Sequence, residues 1–282
     1  MKQFFRNGLE RLSPRAFITL TAARSRAHSQ GLLRAWGLRA LNQRLIAEIG
    51  NAVIAGPFEG LLIPEIAQAE HLGPFLLGTY ETELHAWWHG LLREQFAQML
   101  DVGSKFGFYA VAYAKRFPSA EVVAFDPDPW ARRASRAMAE INHTPNVRIE
   151  GLCDPEWLRR KLRPNAFIMS DCEGYEKHLF CSRRIPALSS ATMLIELHDA
   201  QAPGVTTSIQ AAFRETHTTT LVPSAPEALP TVKPVGALTA EDMLQLSREI
   251  RGPQAWILLR PRLCAELSGL RSVESSDASP RR

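Results

Sequence analysis

The sequence predicts an α/β fold, a doubly wound, seven-stranded, mainly parallel sheet with a helical N-terminal extension. Three observations predict it. The apolar run Met99-Leu100-Asp101-Val102 breaks at Gly103-Ser104-Lys105-Phe106-Gly107 and continues as a helix-like stretch, Tyr109 to Phe117. That reads as strand, glycine turn and helix. A second apolar run, Glu121-Val122-Val123-Ala124-Phe125-Asp126, follows one helix later and also ends in an acid. From there strand-like and helix-like segments alternate, the pattern of a parallel sheet buried between helical layers.

Residues 1–50 read as helical and arginine-rich, interrupted at Pro14 and Gly31. Nine Lys/Arg face only Glu10 and Glu48, so this segment carries +7 in a chain of net charge +4 and the remainder carries −3. Such a segment suits a membrane surface or another anionic partner, or a packing or dimerisation arm. The arm is the preferred reading, and the lack of clustered aromatics speaks against nucleic acid.

Residues 51–78 read as loop, with Gly56-Pro57 and Gly73-Pro74 as breakers. Gly78-Thr79-Tyr80-Glu81-Thr82-Glu83-Leu84 is expected to open a helix running to about Gln95, capped by Thr79 or Thr82. Strands are expected at 96–102, 121–126, 147–150, 166–171, 191–197, 219–222 and 255–259. Helices are expected at 107–117, 129–142, 155–162, 174–181, 206–216 and 239–250. A Pro/Ala-rich loop spans 223–236. The expected division is an extension over 1–77, a ligand-binding domain over 78–262 and a polar, disordered tail over 263–282.

No run approaches the roughly 20 apolar residues that span a bilayer, and Phe17–Ala23, flanked by Arg15 and Arg24, does not read as a signal peptide. Cys153, Cys172, Cys181 and Cys264 form no C-x-x-C pair, which points to reduced thiols in a cytoplasmic protein.

Parallel strands share a carboxyl edge, and acids mark that edge. Asp101 leads into a turn with two glycines rather than the G-x-G-x-x-G of a pyrophosphate site, so the turn suits a ligand carrying positive charge. The turn is also expected to present free amides at a helix N-terminus. Asp126, 19 residues after Gly107, is placed to accept ribose hydroxyls; capping the helix at Pro129 is its structural alternative. Asp171 and Glu173 follow the fourth strand, and His198 and Asp199 the fifth. These four are expected to converge as catalytic residues, taking a proton from a substrate hydroxyl or holding a divalent cation such as Mg²⁺. Glu176 reads as a helix-surface charge, Glu196 as a site acid or an arginine's buried partner, and His217 as a further candidate for the same edge.

Leu100 to Tyr109 resembles motif I of class I S-adenosylmethionine-dependent methyltransferases, in the D-V-G-x-x-x-G-x-Y form of the FkbM-like group. Phe125-Asp126-Pro127-Asp128-Pro129 is similar to that group's F-E/D-P-x-P motif, and Ser170 to Glu176 to its I-D-x-E-G-x-E motif. Leu194 to Asp199 is similar to the fifth-strand motif of related sequences, and Gly78-Thr79-Tyr80-Glu81 to a segment they carry before the domain. The resemblance covers about residues 78–261 and departs at Lys105, where many members have glycine, and at Asp126, where glutamate is commoner. It implies a Rossmann-like methyltransferase fold with S-adenosylmethionine held by Asp101, Gly103, Ser104, Phe106 and Gly107 of the turn. Tyr80, Glu81, Asp126, Pro127 and Asp171 complete the implied cofactor set. It also implies O-methylation of a small-molecule, sugar or glycolipid-like acceptor. The alternative is a non-catalytic binding or scaffold protein working through its basic arm, with a nicotinamide-dependent oxidoreductase third.

Overall fold

The computed structural model describes residues 27, 31, 32, 34, 37–181, 185–224, 234–249, 251 and 254–262. The tail after 262, most of the basic segment and part of the 223–236 loop therefore lie outside the described residues. Helix α1 is Leu38–Ile49, followed by a 3-10 turn at Glu65–Ala69 and the short α2 at Gly73–Leu77. A second 3-10 turn, Thr82–Leu84, leads into α3, His85–Leu91. The sheet domain then runs β1 Gln98–Val102, α4 Phe108–Arg116, β2 Glu121–Phe125, α5 Pro129–Ile141, β3 Val147–Glu150 and α6 Pro155–Lys161. It continues as β4 Ala166–Ser170, α7 Glu176–Cys181, β5 Thr192–Leu197, α8 Val205–Phe213, β6 His217–Pro223, α9 Ala240–Ser247 and β7 Ala255–Pro261.

Among the described residues these strands form one seven-stranded sheet of order β3-β2-β1-β4-β5-β7-β6. The first five positions are parallel, while β7 runs antiparallel to both β5 and β6. The central strands are buried on both faces, which is why they read as continuous apolar runs rather than alternating ones. Their side chains still alternate between two cores. Met99, Phe167, Met169 and Leu194 face the core that includes α4 and α5, whereas Leu100, Ile168, Met193 and Ile195 face the core that includes α7 and α8.

Local chemistry sets many helix starts. Asp128 caps α5 by accepting from the Trp130 amide, Asp154 caps α6 through the Trp157 amide, and Thr239 with Asp242 forms a capping box at α9. So the cap of α5 is Asp128, not Asp126. The helix expected from Gly78 to Gln95 starts later. Gly78 ends α2 with positive φ, and Glu81 lies at φ 50, a left-handed conformation that breaks the run before Thr82. Neither Thr79 nor Thr82 caps it. The expected loop at 51–78 is partly ordered, with a bridge between Ala52 and Leu62 besides α2.

Part of the basic segment is packed. Leu38, Leu41 and Leu45 of α1 are buried in the same core as Leu72, Leu76, Trp88 and Tyr109. Asn42 secures α1 to the next segment, donating to the Glu70 carbonyl at 3.1 Å and accepting from the Gly73 amide at 3.2 Å. Arg44 pairs with Asp242 of α9.

Candidate functional site

The chain leaves β1 for β2 and β3 on one side, then returns to β4 on the other. Beyond the carboxyl ends of β1 and β4 this switch leaves a crevice where ligands of open α/β sheets bind. The backbones there are close. Asp171 N–H donates to the Val102 carbonyl at 2.8 Å, and a Cβ on Gly103, at φ 87, would lie 1.7 Å from the Asp171 carbonyl oxygen. Only glycine fits that approach.

Four amides of the turn are already bonded within the protein. Gly103 and Ser104 N–H both donate to the Phe125 carbonyl, Gly107 N–H to the Ser104 carbonyl, and Lys105 N–H to Asp126 Oδ2 at 3.0 Å. Asp126 Oδ1 accepts from the Asp128 amide at 2.8 Å, so this acid ties the β1 turn to the β2 end. Asp101 Oδ2 accepts from the Ala110 amide of α4 at 3.0 Å. Burial raises both carboxyls, Asp101 and Asp126, to about 7. Ser104 is buried and its hydroxyl has no partner among the described residues. Lys105, at φ 51, turns its side chain to pair with buried Glu70 at 3.0 Å. Phe106 packs in the core against Phe75, and Tyr80 stacks on Phe75 at 3.9 Å. Pro127 is half-buried beside Asp126.

Asp171, Glu173 and His198 converge as expected. His198, 1% exposed, places Nε2 3.4 Å from Asp171 Oδ1, 3.4 Å from Glu196 Oε2 and 3.9 Å from Glu173 Oε2. Its Nδ1 is 2.7 Å from Glu176 Oε1, which also accepts from the Cys172 and Gly174 amides. Burial opposes the imidazolium, yet the Glu176 bond and the charges of Asp171, Glu176 and Glu173 outweigh it and raise His198 to about 9. Glu176, read from sequence as a surface charge, is fully buried. Asp199 does not join the group: it is exposed, and accepts from the Gly204 and Thr206 amides and the Thr206 hydroxyl at the start of α8. His217 sits at the opposite edge. It begins β6, which runs in the same direction as β5, and bonds the Ala191 carbonyl just before β5.

A second hub adjoins the first. Arg251, just before β7, pairs with Glu249 at 2.8 Å, with Glu83, with Glu196 at 3.6 Å and with Glu81 at 3.9 Å. Glu81, raised to about 8 chiefly by burial, accepts from the Tyr109 hydroxyl and donates its own amide to Glu249. Sequence reading missed Glu83, Glu249 and Arg251. The 168-residue separation of Glu83 and Arg251 leaves no local signal. An open groove of about 750 Å³ between α5 and β3, lined by Arg136, Glu140, His143 and Arg148, contains none of the predicted site residues.

This sheet order with a reversed seventh strand is the Rossmann-like methyltransferase fold. Among solved structures, the chain is similar to the O-methyltransferase TomG of Streptomyces achromogenes at 14% identity and TM-score 0.44, covering 62% of this chain and 78% of that one. It is similar to an O-methyltransferase of Bacillus cereus at 12% identity and TM-score 0.43, over 62% and 78%. It is also similar to a precorrin-6y C5,15-methyltransferase of Geobacter metallireducens at 16% identity and TM-score 0.43, over 64% and 90%. No family model matches the chain, and no curated protein does. Among the described residues no helix is long and apolar enough to cross a membrane.

Proposed function

We propose that the chain is an S-adenosylmethionine-dependent methyltransferase acting on an oxygen of a small-molecule, sugar or glycolipid-like acceptor. The observation that carries this reading is the acid-lined crevice around Gly103, with Asp101, Asp126 and Asp171 at three neighbouring strand ends and the unpartnered Ser104 hydroxyl among them. A buried hydroxyl without a partner costs stability unless a ligand satisfies it. The residues fit the cofactor. Asp126 keeps lone pairs beyond its two amide bonds for ribose hydroxyls, and the surrounding carboxylates favour a cationic ligand. S-adenosylmethionine supplies a methyl group already activated on a sulfonium, so the protein's share is position and proton removal.

Gly103 brings the β1 and β4 edges together, and Asp126 holds the turn in place. Glu173, partly exposed beside the crevice, is the carboxylate best placed to take the acceptor's proton. The fully buried Glu176 positions His198. The complexes named for neighbouring structures, with S-adenosylmethionine for TomG and S-adenosylhomocysteine for the Bacillus cereus protein, agree with this cofactor.

Calorimetry on the full-length chain tests it. S-adenosylhomocysteine should bind, and Asp126→Ala should weaken binding by about 1.5–3 kcal/mol through lost hydrogen bonds to a charged group. Binding of NADH with no binding of either adenosyl ligand overturns the proposal.

A further inference from the structure

The geometry around His198 points to a metal site. We propose that Asp171, Glu196 and His198 bind one divalent first-row transition-metal ion. One donor atom from each residue lies within 4.8 Å of the other two. Nε2 stands 3.4 Å from Asp171 Oδ1 and 3.4 Å from Glu196 Oε2. Both separations exceed a good N–H···O bond. They match a shared ion instead, because two ligands each about 2.1 Å from a tetrahedral metal are about 3.4 Å apart.

The support behind the histidine has the form that metal sites use. Nδ1 faces Glu176 Oε1 at 2.7 Å, which leaves Nε2 as the ring nitrogen turned to the two carboxylates. Glu176 is itself fixed by the Cys172 and Gly174 amides, which sets the ring's orientation. The donor set selects the ion. Mg²⁺ and Ca²⁺ prefer all-oxygen shells, whereas one imidazole with carboxylates suits Mn²⁺, Fe²⁺, Co²⁺ or Zn²⁺. Asp171, about a third exposed, gives the ion a path from solvent into an otherwise buried group. Glu196 replaces Asp199 of the sequence-based set because it lies on β5 itself, while Asp199 is spent on α8. An imidazolium held among the same carboxylates is the competing arrangement, and the experiment separates the two.

The full-length chain, stripped with EDTA and desalted, is titrated with Co²⁺ and followed by visible absorption. One Co²⁺ per chain is expected. Asp171→Asn and Glu196→Gln should each weaken binding about tenfold or more, and Glu176→Gln about 10–100-fold. Asp126→Ala should bind Co²⁺ as the wild type does while losing affinity for S-adenosylhomocysteine, so a failed metal site and a failed cofactor site give different results. Absence of saturable binding by the folded wild type overturns the proposal. So does wild-type Co²⁺ affinity in Asp171→Asn, whose partly exposed position makes it the variant least exposed to misfolding.

Discussion

Asp126 illustrates how one side chain joins two elements and a ligand. Its carboxylate receives the Lys105 amide from the turn and the Asp128 amide from its own loop. Burial nevertheless raises it to about 7, from an ordinary value near 4. Below about pH 4 the folded and unfolded chains both hold this proton. Between about 4 and 7 the unfolded chain releases it and the folded chain keeps it, so stability contributed here falls as pH rises through that window and levels off above 7. Asp126→Asn should therefore flatten this part of the stability profile. Urea denaturation of both proteins at pH 5, 6, 7 and 8 measures it, and an unchanged slope in the variant removes the assignment.

At the scale of elements, α1 decides what the basic segment is for. If the basic segment served only an anionic surface, a chain beginning near Asn51 would fold without it. The structure argues otherwise, because Leu38, Leu41 and Leu45 lie in the core shared with α2, α3 and α4, and removing α1 would uncover it. Leu45 is fully buried, so Leu45→Ala should cost about 2–5 kcal/mol in urea denaturation. A change below 1 kcal/mol would show that α1 is peripheral to the fold. The same packing explains why the predicted arm was legible only as helix and charge. Its apolar face has meaning once the partner surface from residues 72–77 exists.

For the whole molecule, the charge distribution is uneven in a useful way. A chain of net charge +4 concentrates Glu81, Glu83, Asp171, Glu173, Glu196 and Glu249 at one edge of its sheet, around Arg251 and His198. Such a concavity attracts a cation. A ligand bound only by the folded state also stabilises the entire fold. At about 100 times its dissociation constant, S-adenosylhomocysteine should add about 2.7 kcal/mol to unfolding. Equilibrium denaturation with and without ligand measures this, and Asp126→Ala should lose the gain at the same concentration.

The sequence by itself determined the alternation of strands and helices, the β1 turn and the position of acids at the strand ends. Those signals are local. Apolar runs of strand length, glycines at φ 87 and φ 79 and the caps at Asp128, Asp154 and Thr239 act over a few residues. Tertiary structure alone decided which acids meet. Asp199 and His198 are neighbours in sequence, yet one caps α8 in solvent and the other is enclosed by β4, β5 and α7. Glu176 passed for a surface charge because burial depends on what packs over a helix, not on its own spacing. Arg251 acquires its role from Glu83 and Glu81, far along the chain, and that pairing exists only after the sheet has assembled with β7 reversed beside β5.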